Sequence, residues 1–286
     1  MTLLGLDVRD RSTLAVLVDD AGAVIAQESR PAADAAAAAH AVLDSAPRPA
    51  AVGVASPGRS MLEAAALRAA LGAGPAPSVV SPGAAIALAE HWCGAAREVR
   101  HVVGLCAGDA VTAGILIDGR PYGGAHGMAG AAGWLALNPV DREDYRKHGC
   151  LEAEVGWPGI VRRLVWRIKA GDRSRALDLA GGSLNEITAS VVFEAARAGD
   201  GVAISVVRDT AKYIGMALAN LVVVLDPEVV VLGGAITDDL LLEASRTEMA
   251  RHLPPGAVEG VTVVPATLGD AAAAVGAARA AMLAAR

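Results

Sequence analysis

Aromatic side chains are scarce in this chain: its 286 residues include four Trp, three Tyr and one Phe. A core with so few rings has to be filled by small aliphatic groups, so its helices and strands must approach one another closely. Cysteine is scarce as well. Cys93, Cys106 and Cys150 lie far apart with no C-x-x-C pair, which argues against a disulfide framework or a self-contained zinc knuckle and leaves them as buried or free thiols. Long apolar runs are also missing. Although 53% of the residues are hydrophobic and the mean hydropathy is +0.42, Asp, Arg, Gly or Pro breaks every stretch before the roughly 18–20 residues that a bilayer span needs. No membrane segment is expected. The opening MTLLGLDVRD has no basic region followed by a longer apolar one, so no secretory leader is read there and a cytoplasmic location is expected.

An excess of basic charge is absent too. The net charge is −6 and the pI lies near 5.5, so nucleic-acid binding is not expected. The basic cluster Arg162, Arg163, Arg167, Lys169, Arg173 and Arg175 falls mostly between apolar positions at helical spacing, and it reads as a solvated helix face. The length exceeds the commonest domain size, which implies two domains or one large one.

The most informative positive feature is an internal echo. Gly5-Leu6-Asp7 opens an apolar strand, and Thr13–Asp19 forms a second strand that ends in the turn Asp20-Ala21-Gly22. Gly104-Leu105-Cys106, Thr112–Asp118 and the turn at Asp118-Gly119 repeat this 99 positions later without a gap. Two copies of one strand, loop, strand, turn unit follow, each expected to open its own domain.

Between the copies, Pro31–Ala46 is alanine-rich and reads as a helix, Ala51–Ala55 as a buried strand closed by Ser56-Pro57-Gly58, and Pro82–His91 as another helix. Beyond the second copy, helices are expected over Val155–Ala170, Ile187–Ala198 and Gly201–Val224, the last stopped by Asp226-Pro227. Strands are expected over Glu228–Leu232, running into Gly233-Gly234, and over Val261–Val264, before a closing helix from Ala271 to Ala285. The class is α/β. A hairpin at the head of each half places one loop on either side of a cleft, a geometry suited to clamping ATP. Loops that cradle phosphate need small residues, because backbone N–H groups reach the oxygens only where no side chain intervenes. The loops here, Asp7–Thr13 and Ala107–Thr112, are not glycine-rich, and both carry acids.

The blocks VGVASPG, SPGAAIALAE, GGAHGMAGAAGW, GCLE, ARAGD, LDPEVVVLGGAI and LGDAAAAVGAA together resemble the ROK family of sugar kinases and sugar-responsive repressors, within the actin-like ATPase superfamily. They stand in the family's order, and the resemblance runs from about Leu3 to Met282. It implies an actin-like (ribonuclease H-like) duplicated fold with a central interdomain cleft. Residues 1–97 plus 271–286 would form the N-terminal domain and 98–270 the second. It also implies ATP and magnesium as cofactors, zinc in a structural site, a sugar as substrate and a homodimer.

The functional positions of that pattern carry replacements. In the first phosphate loop, D-x-G-G-T in the family, Asp7 is kept while Arg9, Asp10 and Arg11 stand at the Gly, Gly and Thr places. In the second, G-T-G-x-G-x-G, Gly108 and Gly114 are kept while Asp109, Ala110 and Thr112 replace Thr, Gly and Gly. The family's Asn-Asp pair, sugar ligand and general base, aligns with Ser81-Pro82, and proline cannot accept a proton. A-G-E-x-G-H aligns with Ala129–Trp134, which removes a Glu and a His that would contact sugar and zinc. Of the zinc cysteines only Cys150 is left, the others aligning with Glu143 and Tyr145, and neither His126 nor His148 restores a four-ligand site.

Several residues keep two readings. Asp7 either holds a cation through water or caps its own loop, and Asp109 is a weak stand-in for the missing base. Gly233, Gly234 and Gly269 either border an adenosine-type pocket or serve as turn residues. Trp134, flanking the former sugar pocket with His126, either fills core space or stacks on a ring. Glu152, the family sugar contact that this sequence retains, binds a hydroxyl or anchors a helix start, and Ser81 is a further ligand candidate. The first expectation is a catalytically impaired ROK-like protein acting in ligand sensing or with a protein partner. The second is an active kinase or other transferase with a rearranged site. The third is a sugar-responsive regulator without its own DNA-binding segment, since the first strand begins by Leu3.

Overall fold

The computed structural model describes residues 1–31, 35–44, 48–57, 68–69 and 75–285. Gly58, which closes the Ala51–Ala55 strand motif, lies outside the described residues, as do residues 32–34 and 45–46 of the expected alanine-rich helix.

Two five-stranded sheets form the frame, and both have the same strand order. In the first, β1 (Leu3–Val8) is flanked by antiparallel β2 (Ser12–Val18) and parallel β4 (Ala51–Ala55). β3 (Val24–Pro31) and β5 (Ser78–Val80) take the edges. In the second, β6 (Val102–Ala107) is flanked by antiparallel β7 (Val111–Ile117) and parallel β9 (Val229–Gly234). β8 (Arg120–Pro121) and β10 (Thr262–Pro265) take those edges. Every residue of β1 is buried, as befits a central strand covered on both faces.

The two copies are not residue-for-residue equivalent throughout. The strand boundaries keep the 99-residue offset, but the pairing does not: Val8 pairs with Thr13, whereas Ala107 pairs with Val111. The second hairpin is one residue tighter at its tip. Its far turn carries positive φ at both Asp118 and Gly119, the conformation that suits a two-residue hairpin.

A double layer of helices fills the space between the sheets. α2 (Pro82–Cys93) packs on the second sheet, the closing helix (Ala272–Ala284) packs on β1 and β4, and the two helices pack on each other. Their approach is unusually close. A Cβ at Gly276 would lie 1.7 Å from the Ala85 carbonyl oxygen, and one at Gly53 would lie 1.8 Å from that of Ala277, so these contacts tolerate only glycine. A glycine inside a helix costs about 1 kcal/mol relative to alanine; close backbone packing is what Gly276 provides in return. The scarcity of rings is thereby explained.

α1 (Ala35–Leu43) covers the outer face of the first sheet. Pro31, expected to start this helix, instead ends β3, because an edge strand accommodates a residue without an N–H. The outer face of the second sheet is covered by helices inserted between β8 and β9: α3 (Glu143–His148), α4 (Cys150–Val155), α5 (Trp157–Lys169), α6 (Arg175–Leu179), α7 (Ala189–Arg197) and α8 (Gly201–Leu225). α9 (Asp239–His252) follows β9 and packs on α8. The helix expected over Val155–Ala170 is broken at Gly156, whose extended ψ of 153° restarts the chain as α5 with a proline in its first turn. α8 is capped by Asp200, which accepts from the Ala203 N–H at 2.7 Å, and it ends at Asp226 in the left-handed region before Pro227.

The basic cluster needs a correction. Arg162 and Arg163 do not face solvent: Arg162 donates to the Ala153 carbonyl at 2.6 Å, and Arg163 donates to that of Glu154 at 2.8 Å. Arg163 also lies 3.5 Å from the buried Glu154 carboxylate. Helical spacing located the charges but could not tell which of them meet an internal acid. No helix among the described residues is long and apolar enough to cross a membrane.

Candidate functional site

The carboxyl ends of β1, β4, β6, β9 and β10 point toward one cleft of about 420 Å³, in the size range of small-molecule sites. Among the predicted positions, the structure brings Asp7, Pro82, Gly108, Asp109, Gly233, Gly234 and Gly269 to its walls. Gly234 has φ +67°, and a Cβ there would lie 2.1 Å from the Ala107 carbonyl oxygen, so glycine is required for β9 to turn away from β6. Ile86, Trp157 and Phe193 supply the larger apolar surfaces. Phe193 is the one phenylalanine in the chain; that rarity was the available sequence signal for it, and it was missed.

The end of this cleft bounded by the two hairpin tips is occupied by side chains. Asp7 is buried, and Arg9 Nε donates to its Oδ2 at 2.6 Å. Arg9 Nη2 reaches across to the Asp270 carbonyl oxygen at 3.1 Å. The Asp10 N–H donates to Asp109 Oδ2 at 3.1 Å, so the two hairpin tips are joined. Burial pushes the Asp7 carboxyl above the ordinary carboxylate value, and Arg9 opposes that shift; Asp109 is likewise raised by burial, opposed by the Asp10 N–H. Cys106, half-buried on the cleft wall, has its thiol pushed up to about 12 by burial and by Asp7, which makes it a poor nucleophile.

Ser81, Glu152, His126 and Trp134 are not among the residues that line this cleft. Ser81 is buried as the N-cap of α2, its Oγ accepting from the Ala84 N–H at 3.3 Å, so helix capping uses its hydroxyl. Thr112, at a family glycine place, is also engaged: its Oγ1 accepts from the Gly83 N–H at 2.9 Å. Glu152 is half-buried and accepts from the Val111 N–H at 2.9 Å, with its carboxyl held above the usual range by burial. Gly133 packs against it, since a Cβ there would sit 3.0 Å from the Glu152 Cβ. Trp134 is 56% exposed, which corrects the reading of it as a core residue: the short 3-10 turn Ala132–Trp134 buries its small residues and turns the ring outward. His126 is exposed.

The zinc implied by the sequence resemblance does not fit the residues at its place. Glu143 is exposed, Tyr145 donates to Glu154, and among the described residues no group of three or more His, Cys, Asp and Glu is placed to hold a metal. Magnesium at Asp7 fits no better, because Arg9 already occupies that carboxylate. Sequence reasoning also missed two buried carboxylates with structural roles. Glu90 accepts from the Ala95 N–H at 2.7 Å, the Thr267 hydroxyl at 2.7 Å and the Leu268 N–H at 3.0 Å, thereby fixing the loop that carries Gly269 and Asp270. Glu154 gathers Tyr145, Arg142 and Arg163 around one end of α4.

Comparison with known proteins yields a consistent set of relatives. The family model described as ROK family matches residues 79–284. A glucokinase of Halalkalibacterium halodurans is 34% identical over 195 residues, which cover 66% of this chain and 58% of the relative. A xylose repressor of Caldicellulosiruptor bescii is 32% identical over 166 residues, covering 56% of this chain and 40% of the relative. The matches thus span less than two thirds of the length of these curated relatives. Among solved structures, a ROK family glucokinase from Streptomyces griseus in complex with glucose and AMPPNP superposes with a TM-score of 0.83 at 25% identity, covering 99% of this chain and 100% of that one.

Proposed function

The chain belongs to the ROK family, and on that premise we propose that it is a catalytically impaired member whose cleft binds a small ligand, for sensing or for work with a protein partner, without transferring phosphate. The observation that carries this reading is the Arg9–Asp7 ion pair, held to the Asp270 carbonyl, at the end of the cleft where phosphates would have to lie. Pro82 on the same wall supports it further, since the base position offers no proton acceptor. Loss of a general base typically lowers a rate by about 10²–10⁴-fold, and each lost donor to a developing oxyanion costs roughly 10²–10³-fold. A nucleoside ligand is supported by the glycine and apolar positions among the cleft-lining residues, Gly233, Gly234, Ile86 and Phe193, which offer a slot for a planar ring, and by the Streptomyces griseus glucokinase, which was solved with a nucleotide analogue. We therefore assign an adenosine-type ligand to that slot.

A thermal-shift panel of adenosine, ATP with magnesium, and sugars tests this reading. Adenosine is expected to raise the melting temperature and ATP with magnesium to do no better; sugar-dependent ADP release would overturn it.

A second reading, an active kinase or other transferase for a sugar or an unusual small molecule, draws support from the 34% identity to a glucokinase and from the Asp109 carboxylate on the cleft wall. Asp109→Ala would then abolish turnover, and unchanged turnover would remove that residue from consideration. The xylose repressor relative keeps a regulatory role in view, and a gel-shift experiment with DNA adjacent to the gene separates it from the other two.

A further inference from the structure

We propose that Arg9 serves as the resident cation of this cleft, standing at Asp7 where a divalent ion would otherwise be held, so that ligands bind here without a divalent metal. The inference rests on the reading that the nucleoside half of the cleft is in use, and it adds the electrostatic class of the ligand.

A buried carboxylate needs a compensating charge or a full set of hydrogen bonds. At Asp7 that charge comes from two residues further along the chain, with Arg9 Nε 2.6 Å from Oδ2. The guanidinium is fixed on a second side by the Asp270 carbonyl oxygen at 3.1 Å, so it is tethered to both walls of the cleft. Asp109 and the Asp270 carboxylate both act on Asp7 electrostatically, and Asp109 is itself held in place by the Asp10 N–H. Three carboxylates therefore act on one guanidinium, Asp7 by direct contact and Asp109 and Asp270 at longer range.

A divalent ion at Asp7 would have to displace this arrangement or sit beside it, where two cations a few ångströms apart repel strongly in a partly dehydrated site. Among the described residues lining the cleft, Arg9 is the cationic side chain, against Asp7, Asp109, Asp238 and Asp270. Asp238 is itself paired with Arg197 at 2.7 Å, so a polyphosphate arriving without metal meets the Asp109 and Asp270 carboxylates beside the Arg9–Asp7 pair. A ligand that is uncharged at this end, such as a nucleoside, is not repelled by them. Removing Arg9 leaves the buried Asp7 without its ion-pair partner while Asp109 and Asp270 still act on it electrostatically, so the same position gains the character of a divalent-cation site.

The test follows manganese(II) binding to the full chain by electron paramagnetic resonance, with adenosine titrated in parallel in the presence of EDTA. The wild type is expected to bind no manganese in the cleft and to give the same adenosine affinity with and without EDTA. Arg9→Ala, and Arg9→Gln as a variant that keeps the packing of the side-chain stem, should gain a manganese site that the wild type lacks, at least about tenfold tighter than any residual wild-type binding elsewhere on the chain. Arg9→Lys should behave as the wild type, and adding Asp7→Asn to Arg9→Gln should abolish the gain. Equal manganese affinity in the wild type and Arg9→Gln would overturn the proposal, as would no gain in a folded Arg9→Gln protein. Adenosine that binds none of these proteins overturns the nucleoside reading alone, and the manganese result still decides the role of Arg9.

Discussion

The backbone N–H of Asp10 donates to the carboxylate of Asp109 at 3.1 Å, across 99 residues of chain. The two residues hold the same place in the two copies of the hairpin, so the duplication has become a contact between its own halves. The two tips are thereby tied to each other at the cleft wall.

Asp109 makes this contact at an electrostatic cost. Its folded pKa is raised above the ordinary value of 3.8, chiefly by burial, so the folded state prefers the protonated carboxyl. Such a group contributes stability that is fully present below pH 3.8 and is lost as pH rises through the raised folded value. Asp109→Asn keeps an oxygen to accept the Asp10 N–H and removes the charge. The variant is expected to melt higher than the wild type at pH 7, with the difference vanishing below pH 3.8. Melting curves across that range check both limits, and a wild type that is the more stable at pH 7 would contradict the assignment.

Glu90 carries the loop that forms one wall of the cleft. Its side chain is fully buried and satisfies three donors from residues 95, 267 and 268. These bonds are only part-buried, and a hydrogen bond to a charged group contributes about 1.5–3 kcal/mol, so Glu90→Ala is expected to lose about 1.5–3 kcal/mol in urea unfolding. Glu90→Gln should lose less. Hydrogen exchange in Glu90→Gln should rise first at residues 267–270, ahead of the body of α2.

Gly276 sets the spacing between the closing helix and α2. Gly276→Ala places a methyl group 1.7 Å from the Ala85 carbonyl oxygen, and backbone cannot yield as a side chain does. Overpacking of this kind costs about 3 kcal/mol or more, despite the better helix propensity of alanine. A stabilised Gly276→Ala protein in denaturant titration would show that the two helices do not approach this closely.

Glu154 does the work of a fastener without a metal. It is buried, receives the Tyr145 hydroxyl, and pairs with Arg142 at 3.2 Å and Arg163 at 3.5 Å. Breaking a buried pair by removing one partner typically costs about 3–5 kcal/mol, which is the loss expected for Glu154→Ala. EDTA, by contrast, should leave the wild-type melting temperature unchanged. A drop on chelation, restored by zinc, would overturn this reading of the 143–150 segment.

Much of the fold was legible because it is written in local patterns. The 99-residue echo located both hairpins, Asp226-Pro227 located the end of α8, and the glycine pair marked the end of β9. The register of the second hairpin was not legible, because side chains at a constant offset do not report a loop that tightens by one residue. The cleft positions at Asp7, Gly108, Gly233, Gly234 and Gly269 could be placed from sequence blocks. Ser81, Glu152, His126 and Trp134 were grouped with them by resemblance alone; the structure engages the Ser81 hydroxyl in a helix cap and the Glu152 carboxylate with the Val111 N–H, and it turns the Trp134 ring outward. Glu90 and Glu154 escaped notice because an acid inside an apolar helix has no sequence mark until its partners, 177 residues away in the case of Thr267, are known.

Whether phosphate is transferred in this cleft separates an impaired member of the family from an active one. A coupled assay of ADP formation, run with magnesium-ATP across a panel of hexoses and N-acetylated amino sugars, measures that directly. No sugar should raise ADP formation above the sugar-free rate; saturable, sugar-dependent ADP formation with stoichiometric sugar phosphate would contradict the account.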